Sequence, residues 1–326
     1  MELRRLRLLF ELSRRKTIAA VAAALAYSPS AVSVALAELE REVGSELLCR
    51  AGRNVQLTAA GWRLAAYAEE ALAAEEAVLC ELASLSDAPA GRVRLTFVQT
   101  PALALLPGML SRLRESAPQL DVEVFHRETA PALEDLRSRA VDIVVGIEYE
   151  PLPVARHRDI DRQDLLHEQV LLCLPHSHPA SEGDDAVSLG QLEHMVWAAG
   201  HPGTGHSAVV DNVCNRLGGY APEVRHRSDD ALILSALVAS GRAVTLLPAL
   251  FAIAMPQLTA RPIREGPLYR LIFTATRTAS AQAPMVAAVR DALRKTAYAA
   301  AAHHNLAHVL PPRATSANCL GAVPQI

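Results

Sequence analysis

Aromatic side chains are scarce in this chain. They make up only 4% of its 326 residues, and two of them are tryptophan. Apolar residues nevertheless reach 51%, so the buried cores must be built mainly from leucine, valine and alanine. A chain of this length is too long for one small domain, and we expect two or three domains.

Cysteine is also rare, and no two cysteines have the spacing of a Cys-x-x-Cys motif. The five stand apart in the sequence, at Cys49, Cys80, Cys173, Cys214 and Cys319. This pattern is typical of unpaired, mostly buried thiols in a reducing compartment. A peroxide sensor that uses two of these thiols remains an alternative.

Long apolar runs are missing as well. The N-terminal MELRRLRLLFEL has no unbroken apolar segment of signal-peptide length. The most apolar stretch, ALILSALVASGRAVTLLPALFAIAM, is interrupted by Gly241, Arg242 and Pro248 and leaves pieces too short to cross a bilayer. We therefore predict a soluble, cytoplasmic protein without membrane contact.

The usual catalytic signatures are absent too. The sequence contains no Gly-x-Ser-x-Gly, no P-loop, no His-Glu-x-x-His and no nucleophilic Cys-His pattern. His176 and His178 form a His-x-His pair, but no third metal ligand follows at a useful spacing. We expect no enzyme, no cofactor and no metal site.

Charge is distributed unevenly along the chain, although the net charge is only −3. Residues 1–63 hold ten Lys and Arg against six Asp and Glu, whereas residues 64–90 hold six acidic residues and no Lys or Arg. A compact basic N-terminus ahead of an acidic helix indicates contact with nucleic acid.

The stretch SPSAVS at residues 28–33 marks a tight turn between two predicted helices. Ser28 is a natural N-cap, Pro29 suits the first helical position, and Gly44 ends the helix. Apolar residues in this helix recur at spacings that place them on one inner face, at Val32, Leu36, Leu39 and Val43. Two helices joined in this way predict a helix-turn-helix, with a plain three-helix bundle as the alternative.

Small side chains at the start of the third helix would let it enter a major groove closely. Pro29 and Ser33 are candidates to touch base edges or methyl groups, and the helix-start N–H groups to meet a phosphate. A hairpin predicted in ELLCRAGRNVQL, turning at residues 51–54, carries Arg50 and Arg53 towards the neighbouring DNA backbone or minor groove. The predicted DNA-binding residues are Ser28, Pro29, Ser30, Ser33, Val34, Arg50 and Arg53.

A long helix is predicted from about Ala59 to Ser86, with Thr58 as its N-cap. Apolar residues recur in it every seven positions, at Leu64, Ala71, Val78 and Leu85. This spacing favours a seam that pairs two copies of the helix, and packing on its own domain is the alternative. The segment SDAPAGR at 86–92 is typical of a linker.

Strands and helices alternate after the linker. Runs such as DIVVGI are apolar on both faces, as buried parallel strands are, and helices between strands predict two right-handed βαβ units. We assign residues 1–58 to the head, 59–90 to the linker helix and hinge, 91–161 with 266–298 to subdomain I, and 162–265 to subdomain II. Residues 299–326 are rich in Ala, His and Pro and are predicted to be a disordered tail.

The N-terminal 61 residues resemble the winged helix-turn-helix of the LysR-type transcriptional regulators. The resemblance is carried by Ser-x-x-x-Val-Ser from Ser28, Leu39-Glu40, Gly-x-x-Leu-Leu-x-Arg from Gly44 and Leu-Thr-x-Ala-Gly from Leu57. The order of linker helix and two-part α/β region extends the resemblance to about residue 298.

This resemblance implies an α/β fold with a winged helix-turn-helix, a long linker helix and a two-subdomain effector domain similar to periplasmic binding proteins. It also implies a homodimer that reads an inverted repeat through two paired linker helices, assembly to a homotetramer, and an influence on RNA polymerase. The chain departs from the family at Val34 and Ala35, where members often carry Gln or Arg, and at Cys49, which replaces an aromatic residue. We interpret Cys49 as a packed thiol, with a redox role as the alternative.

Candidate effector-binding residues follow strand ends, where ligands bind in such sheets. Gln99 and Thr100 precede a helix whose N-terminus suits a carboxylate or phosphate, so an anionic small molecule fits; Thr100 is also a candidate N-cap. Loop histidines can read an acid or sense pH, and adjacent acids such as Asp229 and Asp230 more often cap a helix. The predicted effector-binding residues are Gln99, Thr100, His201, Thr204, His206, Ser228 and Thr245.

These observations predict a DNA-binding transcriptional regulator controlled by a small-molecule effector. A thiol-based redox-sensing regulator is the first alternative. A solute-binding protein is the second, but it would need a signal peptide and no basic N-terminal domain, and the sequence meets neither condition.

Overall fold

The N-terminal head consists of three helices and a hairpin. The helices are α1 (Leu3–Arg15), α2 (Ile18–Leu25) and α3 (Pro29–Val43), and the strands are β1 (Leu48–Ala51) and β2 (Asn54–Leu57). Their leucines and valines form one core, in which Leu9, Leu12 and Leu39 are completely buried. α2 and α3 are bent by 108° relative to each other, an angle typical of a helix-turn-helix.

The computed structural model describes residues 1–51, 54–85, 88–183, 185–302 and 307–309. Within these ranges, no single helix has both the length and the apolar character needed to cross a membrane.

Side-chain caps fix the helix boundaries of the head. Ser28 Oγ accepts a hydrogen bond from the amide of Ala31 at 3.1 Å, and Thr58 Oγ1 accepts one from the amide of Gly61 at 3.0 Å. Gly44 has a left-handed φ of 68° directly after α3, where a side chain would be strained. The caps predicted from the sequence are confirmed.

The linker helix, α4 (Ala59–Ser84), has two different halves. Its first half packs on the head and buries Ala65, Ala68 and Leu72. Its second half leaves Val78, Leu79, Leu82 and the following Leu85 exposed. Packing on the chain's own head therefore explains the first half only.

Subdomain I begins with alternating strands and helices. They are β3 (Gly91–Phe97), α5 (Gln99–Ser116), β4 (Leu120–His126), α6 (Thr129–Arg137) and β5 (Ile143–Tyr149). β3 lies between β4 and β5 and runs parallel to both. The first predicted βαβ unit is confirmed.

A single long strand, β6 (Ile160–Leu174), connects the two subdomains. It runs antiparallel to each of its partners among the described residues. Subdomain II follows with β7 (Val196–Ala199), α7 (Gly205–Val213), β8 (Glu223–Arg227), α8 (Ala231–Ala239), β9 (Thr245–Pro248), α9 (Ala249–Ala252) and β10 (Thr259–Arg261). The second predicted βαβ unit took its first strand from residues 168–175, but this segment belongs to the antiparallel β6. The parallel pair in subdomain II is β7 with β8, on either side of α7.

The chain then returns to subdomain I through β11 (Leu268–Arg277) and α10 (Pro284–Ala302). β11 inserts between β5 and β6, so the main sheet has the order β10-β6-β11-β5-β3-β4, and β9 also pairs with β6. α10 packs against α5 over a core that includes Leu105, Met109 and Leu293.

The end of α10 corrects one prediction. The tail was expected to begin at Ala299, but Ala299–Ala302 continue the helix because alanine has the highest helix propensity. Farther on, β12 (Ala307–Val309) pairs with β6. The rest of the predicted tail lies outside the described residues.

Candidate nucleic-acid interface and effector cleft

The first turn of α3 lies on the surface of the head. Ser28, Pro29, Ser30, Ser33 and Val34 are all exposed, and 59% of Val34 is accessible to solvent. Ser33 Oγ donates to the carbonyl of Pro29 at 3.0 Å, and this local hydrogen bond can be exchanged for one to a base. The structure therefore brings together five of the predicted DNA-binding residues on one accessible edge.

The β1–β2 hairpin, which we call the wing, is held against α3 by Glu40, a residue that the site prediction missed. Glu40 Oε1 accepts hydrogen bonds from the amides of Leu47 and Leu48 at 2.8 and 2.9 Å. Gly61 lies so close to the wing that an added Cβ would stand 2.1 Å from the carbonyl oxygen of Leu47. In the sequence, the Leu39-Glu40 pair of the family motif was the one sign that Glu40 holds the wing.

Arg50 lies exposed on β1, opposite Val55 of β2. Arg53, the second predicted wing arginine, lies outside the described residues. Cys49 on the same strand is exposed, and its Sγ lies 3.6 Å from the carbonyl oxygen of Gln56. The interpretation of Cys49 as a packed thiol is wrong, because alternate residues of a hairpin strand face away from the core.

A cavity of about 440 Å³ opens between the two subdomains. Its apolar walls come from both sides and include Ile147, Tyr149, Leu152, Leu234 and Leu247. Five of the seven predicted effector-binding residues line it: Gln99, Thr100, Thr204, His206 and Ser228. A cavity of this size, apolar with a few polar groups, is typical of a small-molecule site.

Gln99 joins the two subdomains across this cleft. Its Nε2 donates to Asp230 Oδ1 at 2.8 Å, and its Oε1 accepts from the amide of Ala231 at 2.8 Å. Asp230 also caps α8, because Oδ1 accepts from the amide of Leu232 at 2.8 Å. The expected capping role of Asp230 is confirmed. Both polar side-chain atoms of Gln99 are used in the contact between the subdomains.

Thr100 belongs to a buried ion-pair network at the base of the cleft. Arg270 Nη1 donates to Thr100 Oγ1 at 2.8 Å, and Arg270 Nη2 lies 2.8 Å from Glu168 Oε2. Glu168 and Arg270 are almost fully buried, at 0% and 2% exposure. Thr100 is not the N-cap of α5, because Val98 occupies the cap position. The site prediction missed Arg270 and Glu168, which appear in the sequence only as isolated charges within apolar strands.

The histidines and hydroxyls of subdomain II have mostly local partners. His206 accepts from the amide of Gly200 through Nδ1 at 3.0 Å and donates through Nε2 to the carbonyl of Leu246 at 2.8 Å, in the assigned tautomer. Burial lowers the pKa of His206, so it stays neutral. Thr204 caps α7 by accepting from the amide of Ser207.

Two predicted effector residues lie outside the cavity lining. His201 is exposed and its Nδ1 lies 2.9 Å from Asp229 Oδ2. Thr245 is completely buried and donates to the carbonyl of Ala198 at 2.7 Å. The structure does not bring these two residues together with the five that line the cleft.

Of the carboxylates that line the cleft among the described residues, Glu128 lies farthest from a positively charged partner. Its Oε1 lies 3.8 Å from His126 Nε2, whereas the lining Glu148 is paired with Arg162 at 2.7 Å. Burial raises the pKa of Glu128, and the negative charge of Asp229 adds to this against the opposing charges of His126 and Arg270. Glu128 therefore lacks a short ion pair of the kind that Glu148 makes.

Two of the thiols are buried, and both histidines of the His-x-His pair form hydrogen bonds within the fold. Cys173 and Cys214 are buried, and burial raises the pKa of each to about 12. His176 Nδ1 bonds to Thr259 Oγ1 at 2.8 Å, and His178 Nδ1 accepts from the amide of Ala180 at 3.1 Å. Among the described residues, no three His, Cys, Asp or Glu side chains converge to hold a metal ion.

Comparison with known proteins matches both parts of the chain to one family. Residues 3–62 match the bacterial regulatory helix-turn-helix protein, lysR family, and residues 86–297 match the LysR substrate binding domain. The transcriptional dual regulator GltC of Bacillus subtilis is 28% identical over 268 residues, which is 82% of this chain and 87% of GltC. A probable hydrogen peroxide-inducible genes activator of Streptomyces viridosporus is 31% identical and covers 84% of this chain and 88% of its own.

Solved structures show the same fold at low sequence identity. A full-length OxyR variant from Pseudomonas aeruginosa superposes with a TM-score of 0.66 at 20% identity, covering 90% of this chain and 95% of its own. Full-length BenM gives a TM-score of 0.53 at 22% identity, covering 92% and 97%. With the exposed first turn of α3, the cleft between the subdomains and both domain matches in agreement, this chain belongs to the LysR-type transcriptional regulators, DNA-binding proteins with an effector-binding domain.

Proposed function

We propose that the chain reads an inverted-repeat operator in the cytoplasm by placing the first turn of α3 in the major groove. The observation that carries this proposal is the exposed edge formed by Ser28, Pro29, Ser30, Ser33 and Val34 at a helix N-terminus. Small side chains at this point allow a close approach to phosphates and base edges. Arg50 supplies a cation on the adjacent wing strand.

Two copies of the chain would place two recognition helices on one face of the duplex. The apolar face formed by Val78, Leu79, Leu82 and Leu85 supports pairing through the second half of α4. Exposed apolar residues of the effector domain support a further contact that completes a homotetramer; among them, Leu103 of α5 and Phe125 of β4 line one groove. The regulator would act on RNA polymerase from this assembly.

The effector is a small molecule that enters the cleft beside Gln99. The sequence favoured an anionic effector, but Arg270, the one arginine that lines the cleft among the described residues, is buried and already paired with Glu168. Pro101 also removes one of the free N–H donors at the start of α5. A helix terminus contributes about half a charge, and the lining carboxylate of Glu128 opposes it. We therefore propose an effector with an apolar body and a positively charged or donor-rich end.

A thiol-based response receives less support from the site. Some relatives are named as hydrogen peroxide-inducible activators, and a peroxide-reactive cysteine needs thiolate character and access. In the described part of the chain, wherever the pKa of a cysteine shifts, it shifts upward, at Cys80, Cys173 and Cys214. This favours the effector cleft over a redox switch.

The test is binding of the full-length protein to the DNA upstream of its own gene, as a function of salt concentration. Arg50→Ala should weaken binding to all sequences and reduce the salt slope by about one, and Ser33→Ala should change the preferred site. Arg225→Ala, an exposed arginine of subdomain II that pairs with Glu223, is the control. If Arg50→Ala and Ser33→Ala both bind as the wild type does, the assigned reading edge is wrong.

A further inference from the structure

A second cavity, of about 670 Å³, lies where the head, the linker helix and the effector domain meet. We refer to it as the junction cavity. Five arginines from different parts of the chain line it: Arg4 and Arg7 on α1, Arg94 on β3, Arg139 after α6, and Arg277 at the end of β11. Among the described residues, the junction cavity and the effector cleft have no lining residue in common.

The carboxylates at the junction cavity are too few to neutralise these arginines. Glu76 of α4 bonds to Arg277 at 2.7 Å and lies 3.5 Å from Arg139. Asp142, behind the wall, bonds to both Arg94 and Arg277. With Glu75 on the rim, three carboxylates among the described residues face five guanidinium groups, which leaves two positive charges. Glu11, which also acts on Arg139, is paired with Arg15 at 2.7 Å.

The two uncompensated arginines are those of the head. Arg7 forms no ion pair within the described ranges, and its Nε is shielded from solvent without a hydrogen-bond partner. Arg4 is exposed, and its contact in the described part of the chain is with the ring of Tyr27, 5.3 Å from its Cζ. Burial lowers the pKa of Arg139, and the neighbouring charges of Arg277 and Arg7 lower it further against the attraction of Glu76. A buried guanidinium N–H without an acceptor is costly, so this cavity is short of anions.

We propose that the junction cavity binds a small phosphorylated anion with at least two negative charges. Guanidinium groups arranged around an open space match the oxygens of phosphate groups by paired N–H donors. The remaining wall is apolar, formed by residues such as Leu8, Leu25, Tyr27, Leu72 and Leu79, and accommodates the organic part of a phosphate ester. No residue of the α3 reading edge lines this cavity among the described residues.

An anion bound here contacts the head and the effector domain at once. Arg4 and Arg7 move with the head, whereas Arg94, Arg139 and Arg277 move with the effector domain. The ligand therefore holds the head in the orientation seen in the structure, in addition to the direct contact between Arg14 and Glu134 at 2.6 Å. The junction cavity is thus a second control point that does not depend on the effector cleft.

The test uses the full-length protein without DNA or divalent cations, titrated with sodium pyrophosphate at constant ionic strength. Calorimetry should show saturable binding, and sodium chloride of the same ionic strength should give none. Arg7→Gln should weaken pyrophosphate binding about tenfold or more, the loss expected for one charge-assisted hydrogen bond. Arg4→Gln should have the same direction of effect. Arg63→Gln removes the same charge from an exposed site on α4 and should bind as the wild type does.

Three results would overturn this assignment. One is the absence of saturable pyrophosphate binding to a wild-type protein that still binds its operator. Another is equal pyrophosphate affinity of the wild type, Arg7→Gln and Arg4→Gln. The third is a loss of operator binding in Arg7→Gln at unchanged pyrophosphate affinity, which would assign Arg7 to DNA.

Discussion

The carboxylate of Glu76 on the linker helix accepts two hydrogen bonds, of 2.7 and 3.0 Å, from Nε of Arg277 at the end of β11. Arg277 also donates to the carbonyls of Leu136 and Val141, at 2.9 and 2.6 Å. One arginine therefore connects the linker helix to two segments of subdomain I. This pair is a charged link between the helix that positions the head and the domain that holds the effector cleft.

Replacing Glu76 by glutamine should destabilise this connection. The change leaves Arg277 and Arg139 without their shared carboxylate in a mostly buried site, and the expected cost is about 1–3 kcal/mol. Thermal unfolding of the full-length protein should show a melting temperature lower by a few degrees. The neighbouring Glu75→Gln, at an exposed position, should leave the melting temperature unchanged, and an equal shift in both variants would contradict the assignment.

A lysine at position 82 should prevent pairing of the linker helices. Leu82 is 57% exposed in the single chain, so Leu82→Lys has little effect on the fold itself but places a charge in the proposed seam. Light scattering should show a lower molecular mass for Leu82→Lys than for the wild type. Leu217→Lys, at an exposed leucine of subdomain II, is the matched control, and an unchanged mass of Leu82→Lys would place the dimer contact elsewhere.

The charge of Glu128 should determine which ligands the effector cleft accepts. Hexylamine and hexanoate have the same apolar chain and opposite charges at neutral pH. Hexylamine should raise the melting temperature of the wild type, and Glu128→Gln should remove this effect, because binding to the native state stabilises it. Stabilisation by hexanoate and not by hexylamine would show instead that the cleft prefers anions, as the sequence suggested.

Asp142 should make the stability of subdomain I sensitive to acid. Burial alone would raise the pKa of Asp142, but hydrogen bonds from Arg94 and the charge of Arg277 outweigh it and lower the pKa. A carboxyl with a lowered pKa in the folded chain stabilises the fold above its unfolded pKa of about 4, and this contribution is lost as the pH falls through the folded pKa. The melting temperatures of the wild type and Asp142→Asn should differ most at neutral pH and converge in acid.

The control for this pH dependence is Asp121→Asn, which removes an exposed carboxylate of β4. Its melting temperature should follow that of the wild type across the whole pH range. A constant difference between the wild type and Asp142→Asn down to the lowest pH would show that the titration of Asp142 does not contribute.

The head could be predicted almost completely because its signals are local. The cap of α3 at Ser28, the left-handed Gly44 and the periodic core at Leu36 and Leu39 all lie within a few turns of the elements they define. The pairing of β1 with β2 follows from the same short range. These features need no knowledge of distant parts of the chain.

The effector cleft could be predicted only in outline, because its polar groups form hydrogen bonds with residues that are distant in the sequence. Gln99 looked like a ligand contact, yet its partner Asp230 lies 131 residues away and takes its amide. Arg270 and Glu168, 102 residues apart, meet through antiparallel strands. A residue type suited to binding a ligand is equally suited to binding another part of the protein, and only the fold decides between them.

The continuity of β6 limits how the cleft can respond to a ligand. The same strand pairs with β11 up to Val170 and with β9 and β10 from Val170 to Leu174, so the two lobes share one backbone ladder. The strands of such a ladder can twist relative to each other without losing their hydrogen bonds, whereas pulling them apart would break these bonds. A ligand in the cleft would therefore rotate the two lobes slightly relative to each other about β6. Because the linker helix is long, a rotation of a few degrees at β6 would displace the DNA-reading end of the head.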